Sequence, residues 1–184
     1  NILSYVDARE LKKEHMVKLP VVVYNRTSRQ GVIQDAIQLR GSIEQQAIQE
    51  EQAGGAYIRP IVLFQAQPKT SKDSETFEKI KSMLIDMGIP QEEIAVKTSK
   101  LDELGKTNLL SRDCPIRYII TVNALKEGWD CPFAYILASL ANKPSKVDVE
   151  QILGRILRQP YAKRHSAPLL NTSYVLTCFN DFRD

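Results

Sequence analysis

The stretch "IRYIITVNALKEGWDCPFAYILASL", residues 116–140, decides the fold. It holds two apolar runs, "IRYIITV" (116–122) and "FAYILASL" (133–140), both rich in β-branched and aromatic residues. Neither run alternates polar with apolar as a strand with one wet face would, so both read as strands buried on two faces. The link between them is polar and carries Gly128, Trp129 and Asp130.

Runs of the same kind recur on either side. "VVVY" (21–24), "RPIVLFQAQP" with a strand at 61–66, "EEIAVKTS" (92–99) and "SYVLTCF" (173–179) read as further strands. Between them the period changes from two to 3.6. A long helix is expected from Val32 to Ala53, stopped by Gly54-Gly55, and "SETFEKIKSMLIDMG" (74–88) is an amphipathic helix with Gly88 as its stop. Residues 101–112 carry a weak helical pattern. Strands alternating with helices of this length give an α/β domain, a mostly parallel central sheet flanked by helices, whose ligands sit outside the carboxyl ends of the strands. Residues 1–20, with "DARELKKEHMVKL" as a helical segment ending before Pro20, read as an arm or linker from a preceding domain. Residues 21–184 then form the domain proper. There is no internal repeat and no low-complexity tract.

The bulk composition narrows the class. A chain of 184 residues with 43% hydrophobic and 26% charged residues is ordinary globular material. Its 25 basic and 22 acidic residues leave a net charge of +3, too small for nucleic acid to be held by bulk charge, so any such contact must be local. Cys114, Cys131 and Cys178 are widely spaced, which suggests neither a disulfide framework nor a zinc site, and fits a reducing, cytoplasmic setting. No apolar run approaches the ~18 residues of a membrane span, and Asn1 does not begin a signal peptide. A first residue other than Met reads as part of something longer.

Two segments carry candidate chemistry. The first is "VEQILGRILR" (149–158), inside a helix expected from Lys146 to about Gln159. Ser145 and Asp148 have the form of a capping box, and Pro160 marks the other end. At ~100° per residue, Gln151, Arg155 and Arg158 fall on one stripe. Val149, Ile152, Leu153, Ile156 and Leu157 fill the opposite face. Gly154 borders the polar stripe, where the lack of a side chain lets another group approach closely. The second segment runs from Thr121 to Asp130, at the end of a buried strand where such a sheet places its ligand.

Taken together, T-x6-G-x-D at Thr121, Gly128 and Asp130, followed about 20 residues later by Q-x-x-G-R-x-x-R at Gln151, Gly154, Arg155 and Arg158, resembles motifs V and VI of superfamily-two helicases and translocases. These motifs lie on the second RecA-like domain. The wording "ITVNALKEGWDCPFAYILASLANKPS" is most similar to the restriction subunit of type III restriction enzymes. The resemblance covers residues 60–180, with "IVLFQAQ" as motif IV and "VKTS" as the strand end that follows it. It implies that Arg155 and Arg158 reach the ATP γ-phosphate, one as an arginine finger, with Gln151 orienting phosphates or arginines. Arginine suits this role because its planar fork binds phosphate oxygens in pairs and stays charged. Gly128, Asp130 and Gly154 would lie beside the nucleotide. Thr98, Ser99 and Thr121 would hold the nucleic-acid backbone, as small hydroxyls do when they position a strand without reading bases.

The same resemblance implies partners. ATP would bind with Mg²⁺ held mainly by a preceding RecA-like domain, which would carry the phosphate cradle and the acidic metal box. The substrate would be DNA, duplex or single strand, gripped through phosphates, with RNA as the alternative. A methyltransferase/specificity subunit would be a further partner, and no membrane is involved. The full-length protein would be an ATP hydrolase, with DNA cleavage added in a restriction system, and this chain alone would be inactive. A non-catalytic interaction module that kept the fold is the rival.

"LGKTN" (104–108) imitates a phosphate loop, but Lys100 stands where its first glycine is required, and no other G-K-[ST] exists. His15 and His165 are isolated, Cys131 has no visible activating partner, and no metal site is expected. "PYAKRH" (160–165) is basic and reads as a solvated turn.

Overall fold

The computed structural model of the chain describes residues 2–4, 21–25, 28–66, 76–122, 131, 133–140, 146–155, 157, 160–162, 165 and 167–177. In chain order the elements are β1 (Ile2–Ser4), β2 (Val21–Asn25), α1 (Arg29–Gln52), β3 (Ile61–Gln65), α2 (Phe77–Asp86), β4 (Ile94–Lys97), β5 (Tyr118–Thr121), β6 (Ala134–Ser139), α3 (Lys146–Arg155) and β7 (Ser173–Thr177). Short 3₁₀ turns lie at Gln91–Glu93, Pro160–Ala162 and Pro168–Asn171.

The strands form one seven-stranded sheet in the order β1-β2-β7-β6-β3-β5-β4. Every neighbouring pair is parallel except β1 with β2 at one edge. The expected α/β architecture with a mostly parallel central sheet flanked by helices is therefore the one observed. Strands β3, β5 and β6 lie inside and are apolar on both faces. Ile61, Val62, Leu63, Phe64, Ile119, Ile120, Ile136 and Leu137 have no exposed surface. At about 1.5–3 kcal/mol for each large side chain removed from water, these residues are the main source of stability.

Right-handed crossovers place α1 and α2, which both advance toward β4, on one face, and α3, which steps back from β6 to β7, on the other. Contacts identify the first face. Arg40 on α1 donates from Nε to the Tyr118 hydroxyl at 3.2 Å, and Phe64 stacks on Tyr118 with ring centroids 6.3 Å apart. The buried stripe of α1 is Val32, Ile33, Ala36, Arg40, Ile43 and Ala47, a 3.6-residue repeat.

The helix ends show why these segments stop where they do. Ser28 caps α1 by accepting from the Gly31 amide at 2.9 Å, so the helix starts three residues before Val32, its expected start. At the other end Gly54 sits at φ +97, and the Gly55 amide donates to the Glu50 carbonyl at 2.8 Å. The same closure ends α2, where Gly88 has φ +93 and the Ile89 amide reaches the Leu84 carbonyl at 3.1 Å.

Three expectations are corrected. Residues 101–112 form turns instead of a weak helix. Asp102 Oδ1 accepts from the Leu104 and Gly105 amides, and Asn108 Oδ1 accepts from Leu110. Short polar side chains that bind nearby amides compete with a helix for its donors. Helix α3 ends at Arg155, short of Gln159, because the Leu157 amide bonds back to the Ile152 carbonyl at 3.2 Å and the Leu157 side chain is buried. Within the segment read as an arm, Ile2–Ser4 pairs antiparallel with β2. The rest of that arm lies outside the described residues.

Candidate functional site at the carboxyl edge of the sheet

The parallel strands end in register on polar residues. Lys97 of β4 pairs with Thr121 of β5, Thr121 with Gln65 of β3, Gln65 with Ser139 of β6, Ser139 with Thr177 of β7, and Thr177 with Asn25 of β2. The residues before them are apolar, so a buried sheet turns polar along one line, at its carboxyl edge. Thr121 lies three residues beyond Tyr118 on a pleated strand, so it projects to the face opposite α1.

Two members of this line are incomplete. The Thr121 side chain is fully buried and that of Ser139 is 1% exposed, yet neither Oγ has a hydrogen-bond partner. A buried hydroxyl without a partner costs about 1–3 kcal/mol, which a hydrogen-bonding group beside it would recover. At the end of the line, Lys97 Nζ lies 3.2 Å from Asp102 Oδ2. The Gly105 amide, followed by Lys97 and the Leu104 amide, holds the Asp102 carboxyl below its ordinary range.

The residues expected at the site fall as follows. Thr121 is the last residue of β5. Thr98, half-buried just past β4, uses its hydroxyl to accept from the Lys100 and Leu101 amides at 3.3 and 3.0 Å, and Ser99 beside it is exposed. Gln151 is exposed on α3, Gly154 is half-buried, and the backbone of Arg155 closes the helix. Val149, Ile152, Leu153 and Leu157 are buried, as the expected apolar face requires. Gly128, Asp130, Trp129 and Arg158 lie outside the described residues, as do Ile156 and Ser145.

One placement differs from expectation. The segment from Thr121 to Asp130 does not belong wholly to the carboxyl edge. β5 and β6 are both parallel to β3, so the connection leaves the carboxyl edge at Thr121 and must enter β6 at the amino edge. Cys131, next to Asp130, is buried there, and its carbonyl accepts from the Ala134 amide at 2.9 Å. Six residues of β6 correspond to about 20 Å. The chain after α3 reaches that same edge, where the Tyr161 hydroxyl donates to the Tyr57 carbonyl, just before β3, at 2.6 Å. Tyr161 and Phe133 meet there edge to face with centroids 6.1 Å apart. Candidate contacts thus separate into a hydroxyl line at one edge and the end of α3 with the start of β6 toward the other.

The amino edge is braced by Arg59, which the sequence did not single out, and by His165, which it read as isolated. Arg59, 2% exposed, donates to the carbonyls of Ile116, Ser111 and Leu109 and pins the turns before β5. His165 is buried, with Nδ1 3.6 Å from Glu50 Oε2 and Nε2 3.2 Å from the Pro160 carbonyl. Asn171 clamps the His165 backbone from both sides. The Gly105-Lys106-Thr107 imitation lies in a turn with Gly105 at φ +50, and no helix begins there. Among the described residues no group of three or more His, Cys, Asp or Glu is placed to hold a metal ion, and no helix is long and apolar enough to cross a membrane.

Comparison with known proteins finds likeness among solved structures. No protein-family model matches the chain, and no curated protein matches it. Among solved structures it is similar to the C-terminal domain of a substituted S. cerevisiae Dbp5 bound to a substituted Gle1 and IP6, with 13% identity, a TM-score of 0.45, and coverage of 90% of this chain and 78% of that one.

Proposed function

We propose that this chain is the second RecA-like lobe of an ATP-driven nucleic-acid motor, acting on DNA in a type III restriction system. The observation that carries the reading is the buried, partnerless hydroxyl of Thr121 at the carboxyl end of an inner strand, at the threonine position of the T-x6-G-x-D motif. The separation of candidate contacts toward two edges also supports it, since a motor lobe must touch a nucleic-acid strand and a nucleotide at different places. In this reading Thr121, Thr98 and Ser99 hold the phosphate backbone. Gly128, Asp130 and Gly154 border the nucleotide, while Gln151 orients its phosphates.

Arg155 and Arg158 reach across the cleft to the γ-phosphate. Phosphoryl transfer depends on positioning and charge stabilisation, and one such arginine is worth about 10³ to 10⁵ in rate. ATP supplies the phosphoryl group. Mg²⁺ and the phosphate cradle belong to the preceding RecA-like domain. Closure of the two lobes on ATP and their reopening after hydrolysis would move the strand held by this lobe relative to the other. A methyltransferase/specificity subunit is the proposed partner, DNA cleavage by the full-length protein the proposed companion activity, and the cytoplasm the proposed setting.

Two measurements test this. ATP turnover by the full-length protein is expected to rise with duplex DNA. Stimulation by RNA alone would replace the restriction reading with an RNA motor, and stimulation by neither would favour a non-catalytic module. Isothermal titration of this chain with Mg-ATP is expected to show weak or absent binding. Tight binding abolished by Lys106→Ala would overturn the two-lobe reading.

A further inference from the structure

We infer that the line Lys97, Thr121, Gln65, Ser139 is a single phosphate-binding track across the sheet, and that Ser139 is a nucleic-acid contact in its own right, equivalent to Thr121. The inference rests on the motor reading and adds to it a path for the strand.

Thr121 and Ser139 are both in register with Gln65, so all three project to the same face. Two strand spacings put the hydroxyl-bearing positions about 10 Å apart, with the Gln65 amide between them. Both hydroxyls are buried and both lack a partner, whereas most buried polar side chains are satisfied. Hydroxyls and an amide can donate to phosphate oxygens without reading a base. Lys97 ends the line and supplies one positive charge, which in the free chain is held by Asp102.

From Lys97 to Thr177 the line covers four spacings, about 19 Å, room for about five nucleotides at the 3.4 Å stacked rise. It is one polar position deep, because the residue two positions earlier on the same face of each strand is apolar and buried: Ala95, Ile119, Leu63, Leu137 and Val175. It therefore suits one backbone, and the track is for a single strand.

The test uses this chain and a fluorescein-labelled twenty-nucleotide oligothymidylate, read by anisotropy at low salt, with thermal unfolding measured on the same samples. Ser139→Ala is expected to weaken binding about fivefold, the loss of one hydrogen bond, while raising the melting temperature, because it removes a partnerless buried hydroxyl. Ser139→Thr, which keeps the hydroxyl, should retain more of the affinity than Ser139→Ala. Asp102→Asn, at an exposed site, keeps the acceptor for the Leu104 and Gly105 amides but releases Lys97, and should tighten binding. Lys97→Ala should flatten the slope of log affinity against log salt by about 0.7. Unchanged affinity in both Ser139→Ala and Asp102→Asn, with Thr121→Ala still weakened, would overturn the track and leave the motor reading standing. No binding by the unsubstituted chain would overturn both.

Discussion

Glu44 shows how much one side chain can anchor in this fold. Its Oε1 accepts from Arg40 at 2.6 Å and from Arg117 at 3.2 Å, joining α1 to the start of β5. Burial alone would raise the Glu44 carboxyl, but the hydrogen bonds and charges of Arg40 and Arg117 outweigh it and hold the group below the ordinary value of 4.5. A carboxyl depressed on folding contributes stability above that value and loses it as the pH falls through 4.5 toward the folded value. The melting temperature should therefore drop on acidification below about pH 4.5, and Glu44→Gln should flatten that drop. Glu44→Ala should cost about 2–3 kcal/mol by urea unfolding, because Arg40 is buried and would keep only neutral partners, Tyr118 and Pro60. Equal acid sensitivity in the wild type and Glu44→Gln would remove Glu44 from this account. On the alkaline side, burial pushes the Tyr135 hydroxyl well above its ordinary range, so the folded state keeps it neutral and loses that contribution as the pH rises beyond the ordinary tyrosine value.

Among the elements, the helix ends are the most sharply determined. Gly88 stands at φ +93 with open space around a would-be Cβ, so Gly88→Ala meets no clash and should cost about 1 kcal/mol through backbone strain alone, measured by urea unfolding. A neutral result would mean that the closure of α2 can rearrange. These ends were legible in the sequence because Gly54-Gly55 and Gly88 each follow an apolar repeat. The inner strands were legible as well, since only a strand covered on both faces can be as apolar as residues 116–122 or 133–140. The turns at 101–112 were not, because the carboxylate of Asp102 and the amide of Asn108 decide them locally against a helical pattern. Nor was the early end of α3, where one backbone bond from Leu157 overrides a pattern that continues to Arg158. Ile2–Ser4 was missed because three residues are too few to show a period, and their place depends on an edge strand far along the chain.

At the scale of the whole molecule, the fold turns a list of motif residues into a layout. Thr121 ends β5 at the carboxyl edge, while Cys131 and the chain after α3 lie toward the amino edge, so one strand-to-strand connection spans the sheet. Motif spacing singles out Thr121, and the fold places it at the carboxyl end of β5. The polar residues of the line stand in the runs as Gln65, Lys97, Thr121, Ser139 and Thr177, but the runs continue past Thr121 to Val122 and past Ser139 to Leu140, so the sequence does not mark them as strand ends. That they stand side by side follows only from the strand order, which is non-local. The central proposal is that Arg155, the last residue of α3, and Arg158, three positions further along the sequence, complete a nucleotide site whose other half lies in a preceding lobe. Its most direct test is the turnover number of nucleic-acid-stimulated ATP hydrolysis in the full-length protein, with Arg155→Ala and Arg158→Ala each compared with wild type. The expected result is a fall of about 10³ or more for the finger and a substantial loss for its neighbour, with melting temperatures unchanged. Wild-type turnover in both variants would contradict the claim.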